Sequence, residues 1–238
     1  MKIPKKITPC PITEAIVEIR FDSEAPPDAV FGIVYTALKD TYPKNEKLPI
    51  LQLPEILRNK DPNLIFKPYH KLTNENFIIQ VGPKVLSISN INTYVGWDEF
   101  FGKIQDCLSK VQSLDIVSKV FRIGIRYINF FEFDIYDRVD LQLLLKGTQF
   151  KTSQLVLRAE IPSGDFLSIL QIVNNAEVQI GGVSKKGSLI DIDVILQKDF
   201  EGFSKDMEEI VQNGHIEEKK LFFTLLKDEY IETLNPEY

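Results

Sequence analysis

Apolar and polar residues alternate most clearly at Ala15-Ile16-Val17-Glu18-Ile19-Arg20-Phe21, where Ala15, Val17, Ile19 and Phe21 share one side and Glu18 and Arg20 the other. A period of two predicts a strand with one buried face. After Pro26-Pro27 the period changes: Val30, Ile33, Val34, Ala37, Leu38 and Tyr42 recur at three and four, a helix ended by Pro43. Residues 44–62 hold Pro49, Pro54 and Pro62, which predicts an extended excursion or an edge strand. Strands are expected at 63–71 and 76–90, the second folded into a hairpin at Gly82-Pro83. Trp97, Phe100, Phe101, Ile104, Cys107, Leu108 and Val111 return to helical spacing, with Asp98-Glu99 suited to the helix start.

The second half follows a similar order. A long strand is expected from Phe121 to Phe133, a short helix over 137–146 closed by Gly147, and strands at 153–161, 166–180 and 188–196. Helices follow at 200–212 and 215–234, divided by Asn213-Gly214. The expected fold class is therefore α+β: a curved antiparallel sheet with helices on one face, built from pseudo-duplicated β-α-(β)n-α halves at about 12–115 and 120–234. A single helix-grip sheet wrapped around the C-terminal helix is the alternative. Residues 112–120 carry no linker signal, so 1–238 is expected to form one domain.

Composition narrows the function classes. With 44% hydrophobic residues the chain can bury a core, and it contains no apolar run long enough for a membrane-spanning helix. The opening MKIPKKITPCPITEA has prolines where a signal peptide needs its apolar stretch. Cys10 and Cys107 are too few for a disulfide framework, and a reducing cytoplasm is the expected location. The net charge of −6 is unevenly spread, because residues 1–119 hold fifteen basic and fourteen acidic side chains while 120–238 hold thirteen and twenty. An acidic balance opposes nucleic-acid binding, which requires a basic stripe; the acidic excess of the C-terminal half reads first as a solvated helix face, with a surface that docks a basic partner as the alternative.

Catalytic patterns are weak. Neither His70 nor His215 lies in a zinc motif, no GxSxG occurs, and neither a metal nor a cofactor is expected. The stretch Gly181-Gly182 to Lys185-Lys186-Gly187 departs from phosphate-loop spacing and precedes a strand, so it reads as a hairpin loop. Asp191 and Asp193 project to one side of their strand, most simply as the polar half of an alternation with Ile190, Ile192 and Val194. The richest constellation is Phe121-Arg122-Ile123-Gly124-Ile125-Arg126-Tyr127-Ile128-Asn129, in which Arg122 and Arg126 flank the gap left by Gly124. With Glu18 and Arg20 on the opening strand, and Arg158 and Glu160 on another, it predicts a ladder of opposite charges. The candidate binding residues are Glu18, Arg20, Arg122, Arg126, Tyr127, Asn129 and His215. The last helix is apolar around much of its circumference, which predicts burial within the chain or a homodimer interface.

Three of these segments, PITEAIVEIRF at 11–21, YVGW at 94–97 with Phe100, and RIGIRYIN at 122–129, together with His215, Phe222 and Phe223, resemble a sporadically distributed prokaryotic family of uncharacterised proteins of about this length. The resemblance implies that Glu18, Trp97, Arg122, Arg126, Tyr127, Asn129 and His215 belong to a recurring pattern. It brings no reaction and no catalytic residue. The functional expectation is a non-catalytic intracellular interaction module with an unknown protein partner. The alternative is a small-anion binder or enzyme with a cavity between sheet and helices near Arg122, Arg126, Tyr127 and His215.

Overall fold

A computed structural model describes residues 2–180, 182–203 and 206–238. The elements in chain order are β1 (Ile12–Ser23), α1 (Pro27–Leu38), β2 (Lys44–Lys47), a 3-10 turn (Pro49–Gln52), α2 (Glu55–Lys60), β3 (His70–Thr73), β4 (Phe77–Gly82), β5 (Val85–Ile91) and α3 (Trp97–Gln112). They continue with β6 (Val117–Phe131), α4 (Ile135–Arg138), β7 (Leu143–Leu145), β8 (Thr148–Phe150), β9 (Leu155–Ser163), β10 (Phe166–Ile180), β11 (Val183–Glu201), α5 (Asp206–Leu225) and α6 (Asp228–Thr233). Among the described residues nine strands form one open antiparallel sheet in the order β2-β3-β4-β5-β1-β6-β11-β10-β9, and β7-β8 stand apart as a hairpin. The class is α+β, as the alternating periods predict. The strands β1 and β6 pair at the centre; on each side the last strand of the half, β5 or β11, lies next to them and earlier strands follow outward to β2 and β9.

Strand alternation decides which face is covered. Val17, Ile19, Ile125 and Val194 point toward the helices and are fully buried. Against the first part of the sheet lie Val34 and Leu38 of α1, Phe100 and Ile104 of α3, and Met207 and Val211 of α5. A second cluster joins Ile172, Ile190 and Ile192 to Ile135 of α4 and to Phe222 and Phe223 of α5. Each such aliphatic or aromatic side chain contributes roughly 1.5–3 kcal/mol on leaving water. No helix of the described residues is long and apolar enough to cross a membrane.

Several expectations need correction. Residues 63–71 do not form a strand; only His70–Thr73 do, and the preceding residues turn between Pro62 and Pro68. The helix expected at 137–146 stops at Arg138, and the leucine run enters a hairpin. Lys146 and Gly147 take φ values of 50° and 80°, the pair of left-handed residues that a type I′ turn requires. A short apolar run fits helix and strand equally, and this turn selects the strand. Finally, the strand β11 runs on to Glu201, and α5 continues through Asn213-Gly214 without a break. Gly214 is there for space: a Cβ on it would stand 2.4 Å from Ile125 Cδ1, so its absence lets the helix approach β6. The interruption comes instead at Lys227, which is extended (φ −67°, ψ 139°). Of the glycine-rich stretch, Gly181 lies outside the described residues, and β11 already begins at Val183.

Candidate functional site

The face away from the helices carries Glu14, Glu18 and Arg20 of β1, Arg122 and Arg126 of β6, and Asp191 and Asp193 of β11. Register brings them together at the middle of the sheet: Glu18 lies opposite Gly124, Arg20 opposite Arg122, and Arg126 opposite Asp193. Arg122 donates from Nη1 to Glu18 Oε1 at 2.6 Å and from Nη2 to Asp193 Oδ2 at 3.0 Å. Arg20 Nε donates to the same Glu18 oxygen at 2.8 Å. Arg126 grips Asp191 with two parallel bonds, Nε to Oδ1 at 2.8 Å and Nη2 to Oδ2 at 2.5 Å. Such forked pairs fix orientation as well as charge.

The expected gap at Gly124 is filled from within. A Cβ there would lie 3.0 Å from Arg122 Nη1 and 3.1 Å from Asp193 Oδ1, so the glycine provides the room through which Arg122 reaches the third strand. Arg122 is only 8% exposed. Arg158 and Glu160 pair with each other at 2.8 Å on β9, away from this centre.

Above the charges a cleft of about 470 Å³ is closed on one side by the turning segment that holds Pro62, Asn63, Phe66, Lys67 and Pro68. Phe66 rests against Phe121, ring centroids 5.4 Å apart, and the Arg20 guanidinium lies 4.9 Å over its ring. Gly82 admits this segment, since a Cβ there would meet the Lys67 carbonyl oxygen at 2.6 Å. The wall on β4 and β5 is polar, with Gln80, Ser87 and Ser89. Burial pushes the carboxyls of Glu14 and Asp193 upward, opposed by Arg126 at Glu14 and by Arg122 and Arg126 at Asp193. The bonds to Asp191 push the Arg126 guanidinium higher still.

The remaining sequence candidates lie on the other face. Tyr127 follows Arg126 and must point the opposite way. Its Oη is 3.1 Å from His215 Nδ1 and 3.2 Å from Tyr94 Oη. The imidazole stacks on Trp97 with ring centroids 3.8 Å apart. Trp97 Nε1 donates to Gln212 at 2.9 Å. His215 sits in the middle of α5 rather than at a helix start, and burial, assisted by Lys219, pushes its pKa down to about 3. One turn further, Glu218 is 5% exposed and burial pushes it up to about 8. Asn129, 1% exposed, donates to the Ile190 carbonyl at 3.3 Å.

The structure thus gathers Glu18, Arg20, Arg122 and Arg126, and separates them from Tyr127, Asn129 and His215 by the thickness of the sheet. A single cavity shared by Arg122, Arg126, Tyr127 and His215 is ruled out by strand parity alone. Sequence reasoning missed Glu14, Ser87 and Ser89, although each continues the alternation of its strand. It also missed Phe66 and Lys67, for which no local signal exists. No family model matches the chain, and no curated protein matches it.

Proposed function

We propose that the protein is a non-catalytic binding module whose open-face cleft holds a small polar ligand carrying both an anionic and a cationic group. The observation that carries this reading is the set of valences left facing the cleft. Arg126 commits Nε and Nη2 to Asp191, and its Nη1 has no side-chain partner among the described residues. Lys67 has no carboxylate partner among the described residues either. Glu14, beside Ser89, is a carboxylate without an ion-pair partner among the described residues. The volume falls within the roughly 300–1,000 Å³ usual for small-molecule sites. Locked ion pairs beneath it hold the recognising groups in place before binding, which lowers the cost of association.

The paired state of Arg20, Arg122 and Arg126 leaves little cationic surface for phosphate backbones, which supports setting nucleic acid aside. The like connectivity of the two sides of the sheet supports reading them as pseudo-repeat halves. A second reading, docking of a protein partner beside the cleft, rests on Leu53, Ile56 and Leu57, exposed at 40%, 62% and 50%.

The test is a thermal-shift and calorimetric screen of amino acids and dipeptides against purely anionic metabolites. A ligand at 100 times its Kd adds about 2.7 kcal/mol, or roughly 5–10 °C for a chain of this size. Zwitterions are expected to shift wild type and to leave Arg126→Ala and Glu14→Gln unmoved. Absence of any shift by zwitterions in the folded wild type overturns the proposal.

A further inference from the structure

The two edges of the sheet are unlike. At one end β2 is four residues long, Lys-Asn-Glu-Lys, wholly exposed and bounded by Pro43 and Pro49. Short, charged, proline-flanked edges resist pairing with another chain. At the other end β9 is nine residues long, LVLRAEIPS, and among the described residues pairs only with β10. Its open-face side shows Val156, 80% exposed, then Arg158 and Glu160. Its helix-face side shows the half-buried Leu157, Ala159 and Ile161. Nearby, the β7-β8 hairpin, whose Leu143 packs in the same cluster as Leu155 and Leu157, exposes Leu144, Leu145 and Phe150.

We propose that β9 pairs antiparallel with β9 of a second copy, about a two-fold axis at Ala159, joining two sheets into one. The sequence of the strand selects this axis. Around Ala159, Arg158 faces the partner's Glu160, Glu160 faces the partner's Arg158, and Leu157 faces the partner's Ile161. A shift of the axis to Arg158 or to Glu160 keeps the faces matched but sets two like charges opposite each other. A shift by half a residue turns the apolar side of one copy against the charged side of the other. Only the Ala159 axis gives opposite charges and like faces at every position from 157 to 161.

Pro162 sets which side of this edge faces outward and ends the pairing, since its missing N–H leaves the carbonyl of the partner's Val156 without a donor. It has no N–H, and prolines within edge strands direct that side outward. By alternation the N–H and C=O groups of Arg158 and Glu160 then also face outward, as a hydrogen-bonded pair about Ala159 requires. In the single chain Arg158 and Glu160 bond to each other, each 52% exposed, so the charges can exchange partners without a buried group losing one. The contact is short, well below the roughly 20–30 residues a side of a standard stable interface, so the dimer is reversible and depends on concentration. This inference is independent of the cleft, which lies on the central strands, and leaves its occupancy unaffected. It differs from the homodimer expected through the C-terminal helix, whose apolar residues Phe222 and Phe223 are already buried on the sheet.

Sedimentation velocity of the full chain across micromolar concentrations tests it. Wild type is expected to run as a monomer–dimer equilibrium. Arg158→Glu and Glu160→Arg, each setting like charges across the axis, are expected to weaken it by at least about tenfold. The double variant Arg158→Glu/Glu160→Arg is expected to recover wild-type association. Circular dichroism and melting temperature, unchanged for these exposed positions, establish that the variants fold. A wild type that stays monomeric, a dimer indifferent to the single reversals, or a double variant that fails to recover overturns the proposal.

Discussion

Glu218 predicts how stability responds to alkaline pH. Its carboxyl lies inside the helix–sheet layer at 5% exposure, with Tyr94, Tyr127 and Lys219 as its titratable neighbours, and burial raises it from 4.5 to about 8. A carboxyl with a folded-state pKa above its unfolded value binds its proton more tightly when folded. Below pH 4.5 both states are protonated and the group costs nothing. As pH rises the unfolded chain ionises first, and stability falls by about 1.36 kcal/mol per unit until the folded carboxyl also ionises near pH 8. Glu218→Gln removes this dependence while keeping the shape. The variant is therefore expected to be more stable than wild type by about 1 kcal/mol at pH 5 and about 4 kcal/mol at pH 8. The second value corresponds to roughly 8–16 °C in melting temperature for a chain of this length. Urea unfolding of both proteins at the two pH values measures the difference directly, because all other titrating groups cancel. A gap that is the same at pH 5 and pH 8 refutes the reasoning.

His215 works in the opposite direction: its folded pKa of about 3 lies below 6.5, so its contribution is present above pH 6.5 and is lost as pH falls toward 3. His215→Phe, which keeps the stack on Trp97, is expected to flatten the acid limb by about 2–4 kcal/mol between pH 6.5 and 4, measured by urea unfolding. Arg122→Met leaves Glu18 and Asp193 facing each other without their shared cation and is expected to destabilise by about 2–4 kcal/mol, read from chemical unfolding. Arg122→Met/Asp193→Leu should recover part of that loss. Gly214→Ala drives a methyl to 2.4 Å from Ile125 Cδ1 and is expected to cost about 1–3 kcal/mol despite the better helix former. Shortening the neighbour with Ile125→Val should relieve it, whereas a neutral Gly214→Ala would show that helix and sheet are not in close contact there. Gly82→Ala is expected to push the Lys67 segment off the cleft and to reduce protection of that segment in hydrogen exchange, with little change at the central strands.

The open-face ladder was legible to a large degree. Glu18, Arg20, Arg122 and Arg126 declare their side by parity, and the missing side chain of Gly124 marks a special position between two arginines. What occupies that position is a guanidinium and a carboxylate from the same chain, which required knowing that β11 lies beside β6. The turn at Lys146-Gly147 and the continuity of α5 were misread for one reason. A leucine run and an Asn-Gly pair each fit two local structures, and the deciding contacts, the hairpin partner Thr148–Phe150 and the Ile125 side chain, lie elsewhere.

From the sequence alone follow the α+β class, the strands around 15–21 and 121–133, the apolar stripes of α1 and α3, and the face to which each of those strand residues points. These are local properties, set by side-chain direction along a chain with periods of two and 3.6. Tertiary structure decided the strand order, the closure of the cleft by Phe66 and Lys67, and the split of one list of candidate residues between two faces. It also decided which charges are satisfied. Neighbour order and burial depend on segments tens of residues apart, and the pKa values of His215 and Glu218 follow from that burial rather than from the side chains themselves.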